Sequence, residues 1–126
     1  MNPVLVPVLT AVLFFQTKHF ICDFLLQSNW QFANKGTYGH PGGLIHAGLH
    51  VLASVPALYV LTHSPSLIAA LCAAEFVIHY HCDWSKSRID TWLGLTGADW
   101  GYWAIFGIDQ FVHQLTYLGI LIVLER

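Results

Sequence analysis

Charge is what this chain has least of. Lys, Arg, Asp and Glu make up 10% of its 126 residues, while 56% are hydrophobic; an ordinary soluble domain carries roughly 25% charged residues. A soluble chain of this length would leave most of its residues touching water, so the scarcity excludes an ordinary soluble globule and points to lipid as the solvent. The net charge of −2 comes without a basic patch or tail, which excludes a nucleic-acid footprint. Cysteine is scarce too. Cys22, Cys72 and Cys82 all lie in apolar segments, so a disulfide scaffold is excluded and free thiols are expected. No basic stretch precedes the first apolar run and no A-x-A-like site follows it. That run is therefore expected to stay as a helix and not to be removed as a signal peptide.

Present instead are four apolar runs, over 3–27, 44–62, 66–84 and 101–124. Each is near the roughly 20 residues that cross a hydrocarbon core of about 30 Å. The expected fold is all-α, an integral membrane four-helix bundle forming a single transmembrane domain over 1–126. Pro3, Pro7 and Pro56 are tolerable inside membrane helices. The second and third runs are joined by the short His63-Ser64-Pro65, whereas Ser28 to Gly43 and Ser85 to Trp100 form longer connections rich in Gly and Trp. Both longer connections fall on one side, together with Lys35, Lys86 and Arg88, and Arg126 lies toward the other. The positive-inside rule then places that side in the cytoplasm and both termini outside. Trp30, Trp84, Trp92, Trp100 and Trp103 suit an interfacial aromatic belt.

Each run carries one pair of potential ligands spaced four apart: His19/Asp23, His46/His50, His79/Asp83 and Asp109/His113. Residues at i and i+4 project from one face of a helix, and with alternating chain direction all four pairs reach a similar depth. A short repeat coincides with them. His19-Phe-Ile-Cys22-Asp23-Phe24 matches His79-Tyr-His-Cys82-Asp83-Trp84, and each is followed by a second pair ending in His. Two parallel helical hairpins with a site at their interface are the expected arrangement.

Ionisable groups in membrane segments are costly and usually face the bundle interior, where they pair, relay protons or bind ions. Imidazole and carboxylate together suit Zn, Fe or Mn, and bundles build di-metal sites from facing helices. His19, Asp23, His46, His50, His79, Asp83, Asp109 and His113 are thus the candidate ligands for one or two divalent transition-metal ions. The alternative is a His–Asp hydrogen-bonded network that only holds the bundle together. Glu75 continues the His79/Asp83 face deeper into the membrane and is a candidate ligand or general base; its alternative is a structural hydrogen bond. Lys86, with Arg88, is placed to hold an anionic substrate at the mouth of the site, although basic residues at a membrane boundary also serve as topology signals. Gln27 and Gln110 are candidates to orient ligands. Cys22 and Cys82 are expected to be inert packing, and His40, His63 and His81 to lie in loops or off the polar face.

The strings HFICDFLLQ, HAGLH, HYHCDWSK and DQFVH, together with Lys35, resemble a family of small uncharacterised membrane proteins of bacteria and their phages. That resemblance implies a bacterial inner membrane. More distantly, the chain resembles the membrane-bound metal-dependent hydrolases, which implies a hydrolytic role for His19, Asp23, His50, His79, Asp83, Asp109 and His113. The expected activity is metal-assisted hydrolysis of a lipid or lipid-linked ester or phosphoester, with membrane lipid as the partner and a homo-oligomer compatible with the sequence. A metal-ion or proton permease, or a non-catalytic membrane effector, are the rival expectations.

Overall fold

The computed structural model describes residues 4–124, and everything described is helix, turn or loop. Pro3 and Arg126, both used above, lie outside the described residues. Helix α1 covers Leu5–Phe20 and runs into a π-helical turn at Ile21–Leu25; α2 is Asn29–Asn34, α3 Pro41–Leu61, α4 Pro65–Leu93 and α5 Trp100–Leu124. Four of these helices are long and apolar enough to cross a membrane, counting α1 with its π turn. Helix α1 packs on α3, α3 on α4, α4 on α5 and α5 back on α1, which closes a four-membered ring of antiparallel neighbours.

Three helix starts are capped by the residues that precede them. The Ser28 hydroxyl accepts from Gln31 N at 3.2 Å, and Gln31 Oε1 accepts from Ser28 N at 2.8 Å, a reciprocal capping box. His40 Nδ1 accepts from Gly42 N at 3.0 Å, and the Ser64 hydroxyl accepts from Leu67 N. Pro41 and Pro65 then occupy the first turns of α3 and α4, where their missing N–H costs nothing. Helix α4 ends at Gly94, whose φ of 66° closes the turn while Leu95 N bonds Asp90 O at 2.9 Å. Before α5, Asp99 Oδ2 accepts from Thr96 N and Oγ1, and these bonds, the backbone one foremost, hold that carboxyl below the usual carboxylate range.

The helix limits differ from the apolar runs in places where hydropathy and helix formation part company. Helix α4 continues past Trp84 to Leu93 because Ser85-Lys86-Ser87-Arg88-Ile89-Asp90 is polar yet contains no breaker, and Lys86 pairs with Asp90 one turn on at 2.8 Å. Helix α3 begins at Pro41 instead of Leu44. The glycines there let it approach its neighbours: a Cβ on Gly43 would stand 3.2 Å from Tyr80 Cε2. The first long connection also contains α2, which no apolar run announces.

The outward surface is apolar around the ring, with Leu13, Leu52, Ile108 and Phe111 all more than 60% exposed. Inside, the half of the bundle away from the long connections is filled by Ala11, Phe15, Ala57, Leu58, Leu71, Tyr117, Ile120 and Leu121. Small residues at such contacts let helices meet closely in lipid, where no hydrophobic force drives them together. The two hairpins repeat each other here: Ala11 corresponds to Leu71, Phe15 to Glu75, Ala57 to Ile120 and Leu58 to Leu121.

Close packing of the Gly36 loop on α4 is testable. A Cβ at Gly36 would meet Ser87 Oγ at 2.6 Å and Ser87 Cβ at 3.3 Å. Gly36→Ala should lower stability by about 1–3 kcal/mol, the usual cost of overpacking, and Ser87→Ala in the same chain should recover most of that. Denaturation in mixed micelles measures both.

Candidate metal centre

The four ligand pairs meet at one level of the bundle, on the side of the long connections. Asp23 Oδ1 is approached by His50 Nε2 at 2.9 Å and His46 Nε2 at 3.1 Å, and Asp23 Oδ2 by His19 Nε2 at 3.2 Å. Around Asp83 stand Lys35 Nζ at 3.0 Å, His46 Nε2 and His113 Nε2 at 3.3 Å each, and His79 Nε2 at 3.4 Å. The hairpin repeat is visible in these contacts: His19–Asp23 and His50–Asp23 correspond to His79–Asp83 and His113–Asp83. Asp23 lies in the π turn of α1, a widened turn of the kind frequent at functional sites.

Among the described residues, three overlapping groups of donors converge closely enough to hold an ion: Asp23/His46/His50/His79, His79/Asp83/His113 and Cys82/Asp109/His113, each with all its donor atoms within 4.8 Å of one another. His79 sits where the first two groups meet. Its ring lies 4.0 Å from that of His50 and 4.2 Å from that of His113. It is 2% exposed, and its Nε2 makes no aligned hydrogen bond, with Asp83 Oδ2 standing 3.4 Å away one turn on. His19, its counterpart in the repeat, is satisfied at both nitrogens, by Tyr117 OH at 2.9 Å and Gln110 Oε1 at 2.8 Å, and belongs to none of the three groups.

Seven of the eight expected ligands therefore converge, with His19 beside them as a hydrogen-bonded neighbour. Cys82 joins the set: its thiol donates to Asp109 Oδ1 at 3.3 Å. Cys22 stays out of it. Gln110 ties the halves together, since its amide nitrogen reaches Asp23 Oδ2 at 3.2 Å and Asp109 Oδ2 at 3.3 Å. Gln27 faces His46. Of the other histidines, His40 caps α3, and His81 is exposed and bonds Tyr38 OH.

The carboxylates of Asp23, Asp83 and Asp109 border a cavity of about 580 Å³, a size typical of small-molecule sites. Lys86 stands in its wall, held by Asp90 at 2.8 Å and by the face of Tyr102 at 4.2 Å. Arg88 is exposed and away from it. Glu75 is not part of this wall either. It lies one layer deeper, 1% exposed, where its Oε1 accepts from Lys18 Nζ at 2.5 Å and from Ser54 Oγ at 2.9 Å.

Lys18 is the residue the pattern of His and Asp did not single out. Its ammonium group also donates to His50 O at 3.2 Å, lies 3.4 Å from His50 Nδ1 and sits over the Tyr117 ring at 4.5 Å. Its place one residue before His19, directly over the Glu75 level, is the signal that was available. Ser54 and Tyr117 are counterparts in the repeat, so one layer beneath the centre the two hairpins differ: Ser54 bonds Glu75, whereas Tyr117 stacks on Phe15 at 4.9 Å between ring centroids. Tyr117 reaches His19 Nδ1 at 2.9 Å, whereas Ser54 turns to Glu75.

A buried ion pair is far more costly to halve than to remove. Lys18→Met and Glu75→Gln should each destabilise the bundle by roughly 3–5 kcal/mol. The double variant should be closer to wild type than either single change. Unfolding of the four chains in one micelle system gives the coupling directly.

No curated protein and no solved structure matches the chain. Residues 8–125 match the model of a family described as "Protein of unknown function (DUF3307)". With a match that runs over nearly its whole length, this chain belongs to the DUF3307 family.

Proposed function

We infer that this protein is a membrane-embedded metal-dependent hydrolase acting on a lipid or lipid-linked ester or phosphoester. The observation that carries the reading is the convergence of buried imidazoles and carboxylates into overlapping donor groups, two of which meet at His79. Such mixed His and carboxylate donors, set on facing helices, suit a transition-metal ion. Asp23, His46 and His50 would hold one Zn, Fe or Mn ion with His79, and His113 a second, with His79 and Asp83 or with Asp109 and Cys82. An ion held there would lower the pKa of water and polarise a carbonyl or phosphoryl oxygen.

The chain's own residues supply the rest. A carboxylate bordering the cavity, Asp23 or Asp109, takes the proton of the attacking water. The water oxygen bonds to the carbonyl carbon or phosphorus, the bond to the leaving alkoxide breaks, and the proton passes to that alkoxide. Lys86 faces the charge that develops on the reacting group. Glu75 holds Lys18 against His50 and so fixes one ligand from behind.

The rival is a permease for metal ions or protons. Below the Lys18–Glu75 layer the interior is Ala11, Ala57, Leu58, Leu71, Ile120 and Leu121, which supports a one-sided pocket over a conduit. In a bacterial inner membrane the site would face the cytoplasm, with both termini outside; labelling of single cysteines at 35 and 88 from outside intact cells would reverse that orientation.

Metal analysis of the purified protein should find about one or two tightly bound transition-metal ions per chain, in keeping with the donor set. Asp23→Asn and Asp83→Asn should each weaken binding. His79→Gln should abolish stoichiometric uptake, whereas His19→Gln should cost no more than the roughly 10–100-fold typical of a residue that only orients ligands. A wild-type protein that is stable without metal and indifferent to added zinc, iron and manganese would leave the His–Asp network as the explanation.

A further inference from the structure

The cavity beside the centre carries a mixed set of charges. Asp23, Asp83, Asp90 and Asp109 line it, and so do Lys35 and Lys86. Each lysine is paired with one of these carboxylates, Lys35 with Asp83 at 3.0 Å and Lys86 with Asp90 at 2.8 Å. Four carboxylates against two ammonium groups make an empty cavity repel anions. Two divalent ions at its floor would reverse that balance, adding four positive charges and drawing Asp83 away from Lys35, while Lys86 stays in the wall on Asp90. The lining also carries Phe24, Phe32, Tyr102 and Phe106, with Lys86 Nζ over the Tyr102 ring at 4.2 Å. Exposed Trp92, Trp100 and Trp103 lie at the same end of the bundle, where tryptophan marks the headgroup layer.

We propose that this cavity binds the phosphate-bearing headgroup of a lipid, with the phosphate between the metal-loaded carboxylates and Lys86 and the glycerol or comparable linker along the aromatic lining. The proposal rests on the metal-centre reading and narrows its substrate from any ester to a phosphoester. A neutral carboxylic ester would leave both lysines without a task. A soluble phosphate ester would make no use of the aromatic lining. Binding of the anion and of the ions must be coupled, and the coupling is reciprocal.

The test uses the full-length protein in a neutral detergent, with metal content measured on every sample. The probes are dihexanoyl phosphatidic acid, dihexanoylglycerol, which lacks the phosphate, and glycerol 3-phosphate, which lacks the chains. Calorimetry should show phosphatidic acid binding the zinc- or manganese-loaded protein at least tenfold more tightly than the metal-free protein, and at least tenfold more tightly than either other probe. Lys86→Met should lose about tenfold with metal content unchanged, and Lys86→Arg should restore most of it. The wild-type comparisons stand whether or not the Met variant folds. Metal uptake without preference for phosphatidic acid over dihexanoylglycerol overturns this proposal and leaves the metal centre intact. Equal binding of glycerol 3-phosphate overturns the lipid as the source of the phosphate. A protein that takes up no metal removes both the hydrolase and the phosphate site.

Discussion

A carboxylate inside a hydrocarbon slab has no water to solvate it, and the cost of leaving it bare is several kcal/mol or more. Every buried acid in the spans must therefore meet a donor from another helix, and the bundle is arranged around meeting that demand. Asp23 in α1 draws on His46 and His50 from α3; Asp83 in α4 draws on Lys35, His46 and His113; Glu75 in α4 takes Lys18 from α1. These contacts cross between helices that have no hydrophobic reason to associate within lipid. The polar layer therefore specifies which helix faces which, while the small and aliphatic residues beneath it let the partners close.

The layout repeats between the two hairpins, and the repeat is imperfect. The His/Asp contacts of one hairpin recur in the other, but the pair Ser54 and Tyr117 breaks the equivalence. A phenol reaches His19; a serine hydroxyl turns to Glu75. One of two corresponding imidazoles is thus tied to the layer beneath it, and the other is not. The π turn at Ile21–Leu25, which α4 lacks, adds a second asymmetry at the corresponding aspartates.

Much of this was legible because helical periodicity turns spacing into geometry. Four i,i+4 pairs and the H-x-x-C-D repeat were enough to expect an all-helical chain with His and Asp at one depth, and the helices do bring His46, His50, His79, Asp23, Asp83, Asp109 and His113 together. Lys18 escaped because a lysine near a helix end ordinarily reads as a boundary charge, and only the crossing contact to α4 turns it inward. Cys82 reads as packing in the sequence, since nothing there places Asp109 of α5 against it. The end of α4 was misjudged for a different reason: hydropathy reports where lipid stops, whereas a helix stops where Gly94 supplies a left-handed turn.

That overrun has a geometric consequence. At 1.5 Å per residue the 29 residues of α4 measure about 43 Å, well beyond a hydrocarbon thickness of about 30 Å. The surplus is roughly the depth of a headgroup layer. Counted back from Leu93, Asp83 lies about 15 Å below the helix tip, within one headgroup depth of the point where a span of hydrocarbon thickness started at Pro65 would end. Helix length thus acts as a depth gauge, and a molecule anchored in the bilayer could present its first polar bond to Asp83 without being lifted out of the membrane.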